Sequence, residues 1–459
     1  MSKGKNSIDM CSGSLWDKIL LFALPLMLSS ILQLLFNAAD VVVVGRYAGN
    51  ESLAAVGSTT PVIQLVVNLF TGLSVGANVL VARDIGAGNH QRVSRCVHTA
   101  ILLAFTCGII MAAISSSFAG TILTWTSSPT DVIGLATLYL RIYFLGIPAT
   151  MVYNFGAAIL RARGDTRRPL YYLTVSGVIN VGLNLFFVIC LEMDVAGVAL
   201  ATIISQYVSA GLVVWCLMRE ESSVHLDLKK LRFDGTMVLQ ILQVGLPAGI
   251  QSSLFSISNV AIQTGLNSFD DSTLLAACSA SLSIEGFLFV GTNSFHQAAI
   301  SFVGQNYGAG NRRRTERCVL LCMMYTTAVG LLTGNLAYLF GETLVGLYAP
   351  GETEVIALAM VRLAYFGYLY FLCGVQDTMA GALRGLGYSL LPTILSLLSI
   401  CAFRLVWINT AFVQVHTPET LYLSYPVSWA IATALQVGAY FLVRKHAFYK
   451  ITPKEKADA

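Results

Sequence analysis

Ile19–Val44 reads ILLFALPLMLSSILQLLFNAADVVVV, and Asp40 is its only charged residue. At about 1.5 Å of rise per residue, such a run is long enough to cross a bilayer with tilt to spare. A carboxylate inside it costs roughly 2.5–3.5 kcal/mol on insertion scales, so it asks for a functional reason. Asp40 also lies one turn from the end of the run, and a side chain that merely reaches interfacial water is the plainer alternative.

The whole chain extends this pattern. Of its 459 residues 56% are hydrophobic and only 11% charged, and the mean hydropathy is +0.70. A soluble domain carries about 25% charged residues. Only a bilayer can hide so much apolar surface, and long runs without strand-like alternation indicate helices rather than a barrel. The net charge of +4 is too small to suggest nucleic acid. Most of the ten cysteines fall within apolar runs, with no CxxC pair or Cys/His cluster at zinc-ligand spacing. They read as small buried hydrophobes. The first run is too long for a signal-peptide core and reads as a retained helix.

Charged and turn-rich gaps divide the sequence into twelve apolar segments, at 17–45, 53–82, 96–118, 132–158, 169–191, 195–218, 238–268, 273–303, 317–340, 355–382, 388–411 and 421–443. Pro25, Pro148, Pro247 and Pro426 fall inside runs, where a proline can kink a helix and free a carbonyl. Of the 28 lysines and arginines, 24 lie at the termini and in alternate gaps, including Lys3, Lys5, Lys18, Lys450, Lys454 and Lys456. The other gaps carry acids such as Glu51, Asp131, Glu192, Asp270 and Glu352, with Arg46 the clear exception. The bias predicts both termini in the cytoplasm of a multi-pass protein of the cell's inner (plasma) membrane.

The sequence also repeats itself. Gly86-Ala87-Gly88-Asn89 recurs as Gly308-Ala309-Gly310-Asn311, Pro25 matches Pro247, Leu53-Ala54-Ala55 matches Leu275-Ala276-Ala277, and Cys96 matches Cys318, all at an offset of 222. Leu160-Arg161 with Pro169 matches Leu383-Arg384 with Pro392 at 223, and Arg141 matches Arg362 at 221. One offset held this far along the chain indicates two copies of six helices. Six is even, so the copies share an orientation and relate by a pseudo-twofold axis along the membrane normal. The expected organisation is a cytoplasmic tail at 1–16, an N-terminal six-helix lobe at 17–218, a linker at 219–237, a C-terminal six-helix lobe at 238–445 and a cytoplasmic tail at 446–459. A substrate would bind between such lobes near mid-membrane.

These motifs resemble the MATE family, the multidrug and toxic compound extrusion transporters. The resemblance rests on Asp40 with Gly45 and Leu53-Ala54-Ala55-Val56-Gly57, on the paired GAGN loops, and on Leu160-Arg161-Ala162-Arg163-Gly164-Asp165-Thr166 with its partner Leu383-Arg384-Gly385-Leu386-Gly387. It covers about residues 15–445 and is nearest the bacterial DinF-like branch. It implies a monomeric, non-enzymatic exporter of small organic molecules, driven by protons or sodium and needing no cofactor. It maps the coupling site onto Asp40, Asn180, position 184 and Thr202. Position 184 is often Asp in that branch; here it is Asn184, which removes one of two acids. In the seventh helix, Asn259 stands where another branch would carry a glutamate.

The residues themselves support several roles. Asn37 and Asp40 share a helix face at i, i+3, and Asn180 and Asn184 share one at i, i+4. One carboxylate among amide and hydroxyl oxygens can carry a proton, or can complete a sodium site, in which case Na+ is the metal at Asp40. The asparagines could instead tie helices together. Glu285 and Asp377, both inside apolar runs, and Asn259 are candidates for a cationic substrate or a second ion. Arg404 would pair with an acid or reach outward, His296 reads as a polar packing residue, and Arg141 and Arg362 as residues reaching the outer interface. The GAG loops lack a following Walker lysine and a preceding strand, so ATP hydrolysis is not supported. A lipid-linked oligosaccharide flippase would need a cationic central cavity, whereas the basic residues sit in the flanks. A membrane-embedded enzyme would need paired acidic clusters, which do not appear, and nothing in the tandem repeat favours a receptor.

Overall fold

The computed structural model describes residues 7–125 and 132–449. Lys3, Lys5, Asp131, Lys450, Lys454 and Lys456, used above to read orientation, lie outside these residues, as does most of the expected C-terminal tail. The first half forms α1 (Trp16–Val43), α2 (Gly49–Gly86), α3 (His90–Trp125), α4 (Ile133–Phe144), α5 (Ile147–Arg163), α6 (Arg167–Leu185) and α7 (Asp194–Met218). The second forms α8 (Gly235–Asn267), α9 (Ser272–Gly308), α10 (Arg312–Leu339), α11 (Gly341–Tyr348), α12 (Thr353–Gly367), α13 (Tyr370–Gly385), α14 (Leu390–Ser396), α15 (Phe403–Asn409), α16 (Ala411–Gln414) and α17 (Pro418–Tyr449). Wider, π-helical turns occupy Val44–Ala48, Phe186–Cys190 and Leu397–Ala402.

Among the described residues nine helical runs are long and apolar enough to cross a membrane, and two helix pairs, α4 with α5 and α12 with α13, bend by 45° and 44°. The first run spans 71 residues from Trp16 to Gly86. That is far more than the roughly 20 residues one crossing needs, and Gly49, at φ 84°, divides it. Counted as two, with each bent pair as one, the runs make the twelve crossings expected. Pro148 sits at the start of α5 rather than inside a straight helix, where its missing N–H costs nothing. Leu24, Val42, Leu332 and Leu442 are exposed while Thr59, Asn78, Thr326 and Gln436 are buried. That is the polarity of a bundle solvated by lipid.

The duplicated GAGN motif has a structural cause. Gly88 and Gly310 adopt φ 68° and 69°, which side chains disfavour. The following Asn89 and Asn311 each accept a backbone N–H three residues on, from Arg92 and Arg314, both at 3.1 Å. Each motif therefore turns the chain and caps the next helix.

The chain divides into two compact units, one comprising Met1–Asp9 with Leu28–Gly249 and the other Met10–Met27 with Ile250–Ala459. The division cuts through α1 and α8 at positions that are themselves 222 residues apart, and the linker at 219–237 belongs wholly to the first unit. In that unit α2 and the first part of α8 cross at two GxxxG pairs, Gly72/Gly76 and Gly245/Gly249. A methyl at Gly72 would stand 2.2 Å from the Gly249 backbone, and one at Gly76 would stand 2.2 Å from the Ile241 carbonyl oxygen. Lipid tails offer helices no hydrophobic reason to associate, so close backbone packing must supply it.

Gly72→Leu is therefore expected to destabilise the protein by about 1–3 kcal/mol or more. The thermal midpoint of detergent-solubilised protein should fall, whereas Gly211→Leu, whose added carbon meets nothing within 4 Å, should leave it unchanged.

Candidate functional site

The intramembrane acid of the first unit is held by amides. α6 carries Asn180 and Asn184 one turn apart, α7 packs antiparallel against it, and Thr202 sits on the facing side of α7. Asn184 Nδ2 donates to the Asp40 carboxylate and also reaches Asn180 Oδ1 at 3.4 Å. Asn180 Nδ2 donates to Thr202 Oγ1 at 3.5 Å, and the threonine hydroxyl donates to the Val198 carbonyl at 2.9 Å. Asn180 and Asn184 are buried, and Asp40 and Thr202 half-buried. Four of the five expected coupling residues thus form one hydrogen-bonded chain. The fifth, Asn37, is exposed and takes no part in it.

Among the described residues no cation pairs with Asp40, and the buried Asn184 Oδ1 has no donor. The cluster therefore offers carboxylate, amide and hydroxyl oxygens but no positive charge of its own. Such a set suits a proton on the carboxylate or a hard cation among the oxygens. Two π turns flank it. Val44–Ala48 follows Asp40 by one helical turn, Phe186–Cys190 follows Asn184 directly, and the two turns touch. Widened turns of this kind occur frequently at functional sites. The phenols of Tyr139 and Tyr143 on α4 lie within electrostatic range of Asp40. The sequence reading missed both; their i, i+4 spacing around Arg141 was the available signal.

The candidates of the second unit have different surroundings. Glu285 is paired with Arg362 at 2.6 Å, and Arg362 also donates to Ser281 Oγ at 3.1 Å and lies over the Phe366 ring. The expectation that Arg362 reaches the outer interface is corrected here, because it is only 2% exposed. An acid one helix away answers the guanidinium more cheaply than an outward reach along the helix. Arg141, its repeat mate, is exposed. Asn259 accepts from Arg404 at 3.2 Å; Arg404 also donates to Ser428 at 3.2 Å and covers the Tyr425 ring. Asp377 accepts from Gln376 Nε2 at 2.6 Å and, among the described residues, has no directly paired cation. His296 uses Nδ1 on the Asp377 backbone carbonyl, a packing role. Glu285 is thus held in a direct ion pair, whereas Asp377 is bonded to an amide and has the Arg384 guanidinium only within electrostatic range.

A family model, MatE, matches the chain twice, at residues 25–186 and 247–408. Both ends of the two matches are 222 residues apart, the spacing of the repeat. The chain is 28% identical over 444 residues to "Probable multidrug resistance protein YoeA" of Bacillus subtilis (strain 168), covering 94% of this chain and 95% of the relative. It is 28% identical over 413 residues to "Probable multidrug resistance protein NorM" of Thermotoga maritima, covering 87% and 85%. Its fold is similar to that of a solved "multidrug resistance MATE family transporter of the MOP superfamily" in an outward-facing conformation, with a TM-score of 0.90 at 21% identity over 97% of this chain and 99% of the other.

Glu285→Gln leaves the buried Arg362 without its counter-charge and should cost about 3–5 kcal/mol, read as a lowered thermal midpoint. Combining it with Arg362→Met should restore most of the loss. A single variant as stable as the parent would mean that the pair is not structural.

Proposed function

The chain belongs to the MatE family, and from that premise we propose that it is a secondary active multidrug exporter that exchanges small organic compounds for protons or sodium. The observation that carries this reading is the chain Asp40–Asn184–Asn180–Thr202, an acid in an apolar span answered only by neutral groups. A carboxylate there is costly while charged and unneutralised. A proton on it, or a sodium ion held by it and the neighbouring oxygens, removes that cost. Occupied and empty sites therefore favour different surroundings, which is the differential an ion needs to shift a conformational equilibrium. In this reading the two halves of the repeat move so as to give alternating access. The amide at Asn184 leaves one titratable group in the cluster and so suits one charge per cycle.

The substrates in this reading are amphipathic and cationic. Asp377 is the side chain that would receive the positive group, because Glu285 already has a partner. The protein works as a monomer in the plasma membrane with both termini in the cytoplasm, where the positive-inside bias puts them.

The test is efflux of a fluorescent organic cation from proteoliposomes under an imposed proton gradient, then a sodium gradient. Asp40→Asn should abolish gradient-driven export while the protein remains inserted and monodisperse; retained coupling in that variant would overturn the assignment. Asp377→Asn should raise the half-saturating concentration of a cationic dye several-fold and leave ion coupling intact.

A further inference from the structure

A second polar site of the first unit lies where the segment after α7 meets α3, well outside the Asp40 cluster along the chain. Segment 219–234, between α7 and α8, folds against the first three turns of α3. Its own Val224 and Leu226 are buried. His98 pins it by accepting the Asp227 N–H at Nε2 (3.0 Å) and donating from Nδ1 to the Ser94 carbonyl (2.7 Å). Thr99 adds a bond from its hydroxyl to the Arg232 carbonyl at 3.3 Å. Between the linker and α3 is a cavity of about 380 Å³ lined by Ser94, Arg95, Thr99, Lys229, Lys230 and Arg232, among others.

The charges at this cavity do not cancel. Arg95 is 3.5 Å from Asp234 and Lys230 is 3.1 Å from Asp227. Asp234 already caps α8, accepting the N–H groups of Thr236 and Met237. Among the described residues no acid pairs with Lys229 or Arg232, and both are exposed at the rim. Leu228 and Phe233, interleaved with these cations, point outward and are about half exposed. Two uncommitted cations over a hydroxyl-lined cleft, with apolar side chains beside them, fit an anionic headgroup whose acyl chains lie in the adjoining bilayer.

We infer that this cleft binds a phosphate group, presented by the headgroup of an anionic phospholipid. The geometry that makes the cleft comes from the linker, which occurs once, so the duplicated half supplies no second copy of it. The site is independent of the transport reading and acts as a lipid anchor at the base of α3 and α8.

Native mass spectrometry of the detergent-solubilised full chain tests it, with phosphatidylglycerol and phosphatidylcholine offered in equal amounts. The parent should retain phosphatidylglycerol preferentially. Lys229→Gln with Arg232→Gln should reduce that retention roughly tenfold, whereas Arg313→Gln with Arg317→Gln, on another basic segment, should leave it unchanged. Equal retention of the two lipids, or equal loss in both double variants, would overturn the site. Inorganic phosphate forms the last arm. Failure to displace the lipid supports the headgroup as source, and displacement would keep the phosphate site but overturn the lipid as its occupant.

Discussion

The hydrogen bond from Asn184 to the Asp40 carboxylate is the interaction on which the reading of this molecule rests. In oil a polar group is satisfied by protein or not at all, and how it is satisfied decides what it can still do. Glu285 is answered by a guanidinium, which cancels its charge and fixes it in place. Asp40 is answered by an amide, which supplies a donor but no charge. A negative charge on Asp40 would have no fixed counter-charge among the described residues. The two acids differ in their partner, a guanidinium for one and an amide for the other.

The repeat shows the same point from another side. The fold is duplicated; the polar clusters are not. At the offset of 222 Asp40 corresponds to Ile262, and at the 223 that holds from Leu160 to Pro169 Asn180 and Asn184 correspond to Phe403 and Trp407, so the second half has no equivalent cluster at these positions. Glu285 in turn corresponds to Ile63. This accounts for Arg362 being buried and its mate Arg141 exposed, since the position that supplies the acid to Arg362 holds Ile63 in the first half. Features that set backbone geometry, such as the capped turns at Gly88-Asn89 and Gly310-Asn311, did persist in both copies. Turn geometry is demanded by the shared fold, whereas a buried charge is demanded only by a use.

Much of this was legible in the sequence because lipid imposes one-dimensional rules. Apolar length, the alternation of basic gaps and the fixed offset all survive projection onto a string. The Asp40 cluster was only partly legible. Residue spacing brought Asn180 to Asn184, but their meeting with Asp40, 144 positions away, came from family resemblance alone. Asn37 shares a helix face with Asp40 by spacing and yet is exposed, because a face of that width spans both packed and open positions. Arg362 was misread for a related reason. Its partner is 77 residues distant, on another helix, and no local pattern announces it. The unit boundaries inside α1 and α8 were hidden too, since an unbroken apolar run carries no mark where its packing partner changes.

The local backbone suggests how an event at one carboxylate could travel. An α-helix resists deformation because each turn is held by its neighbours, and a π turn is a place where that ladder is already widened. Here two such turns meet, one just beyond Asp40 and the other just beyond Asn184. A proton or cation on Asp40 would weaken the charge-assisted bond to Asn184, and the two widened turns are where the adjoining helical ladder is least regular. The acid and its amide partner thus each stand at the edge of a widened turn, one leading from α1 into α2 and the other from α6 toward α7.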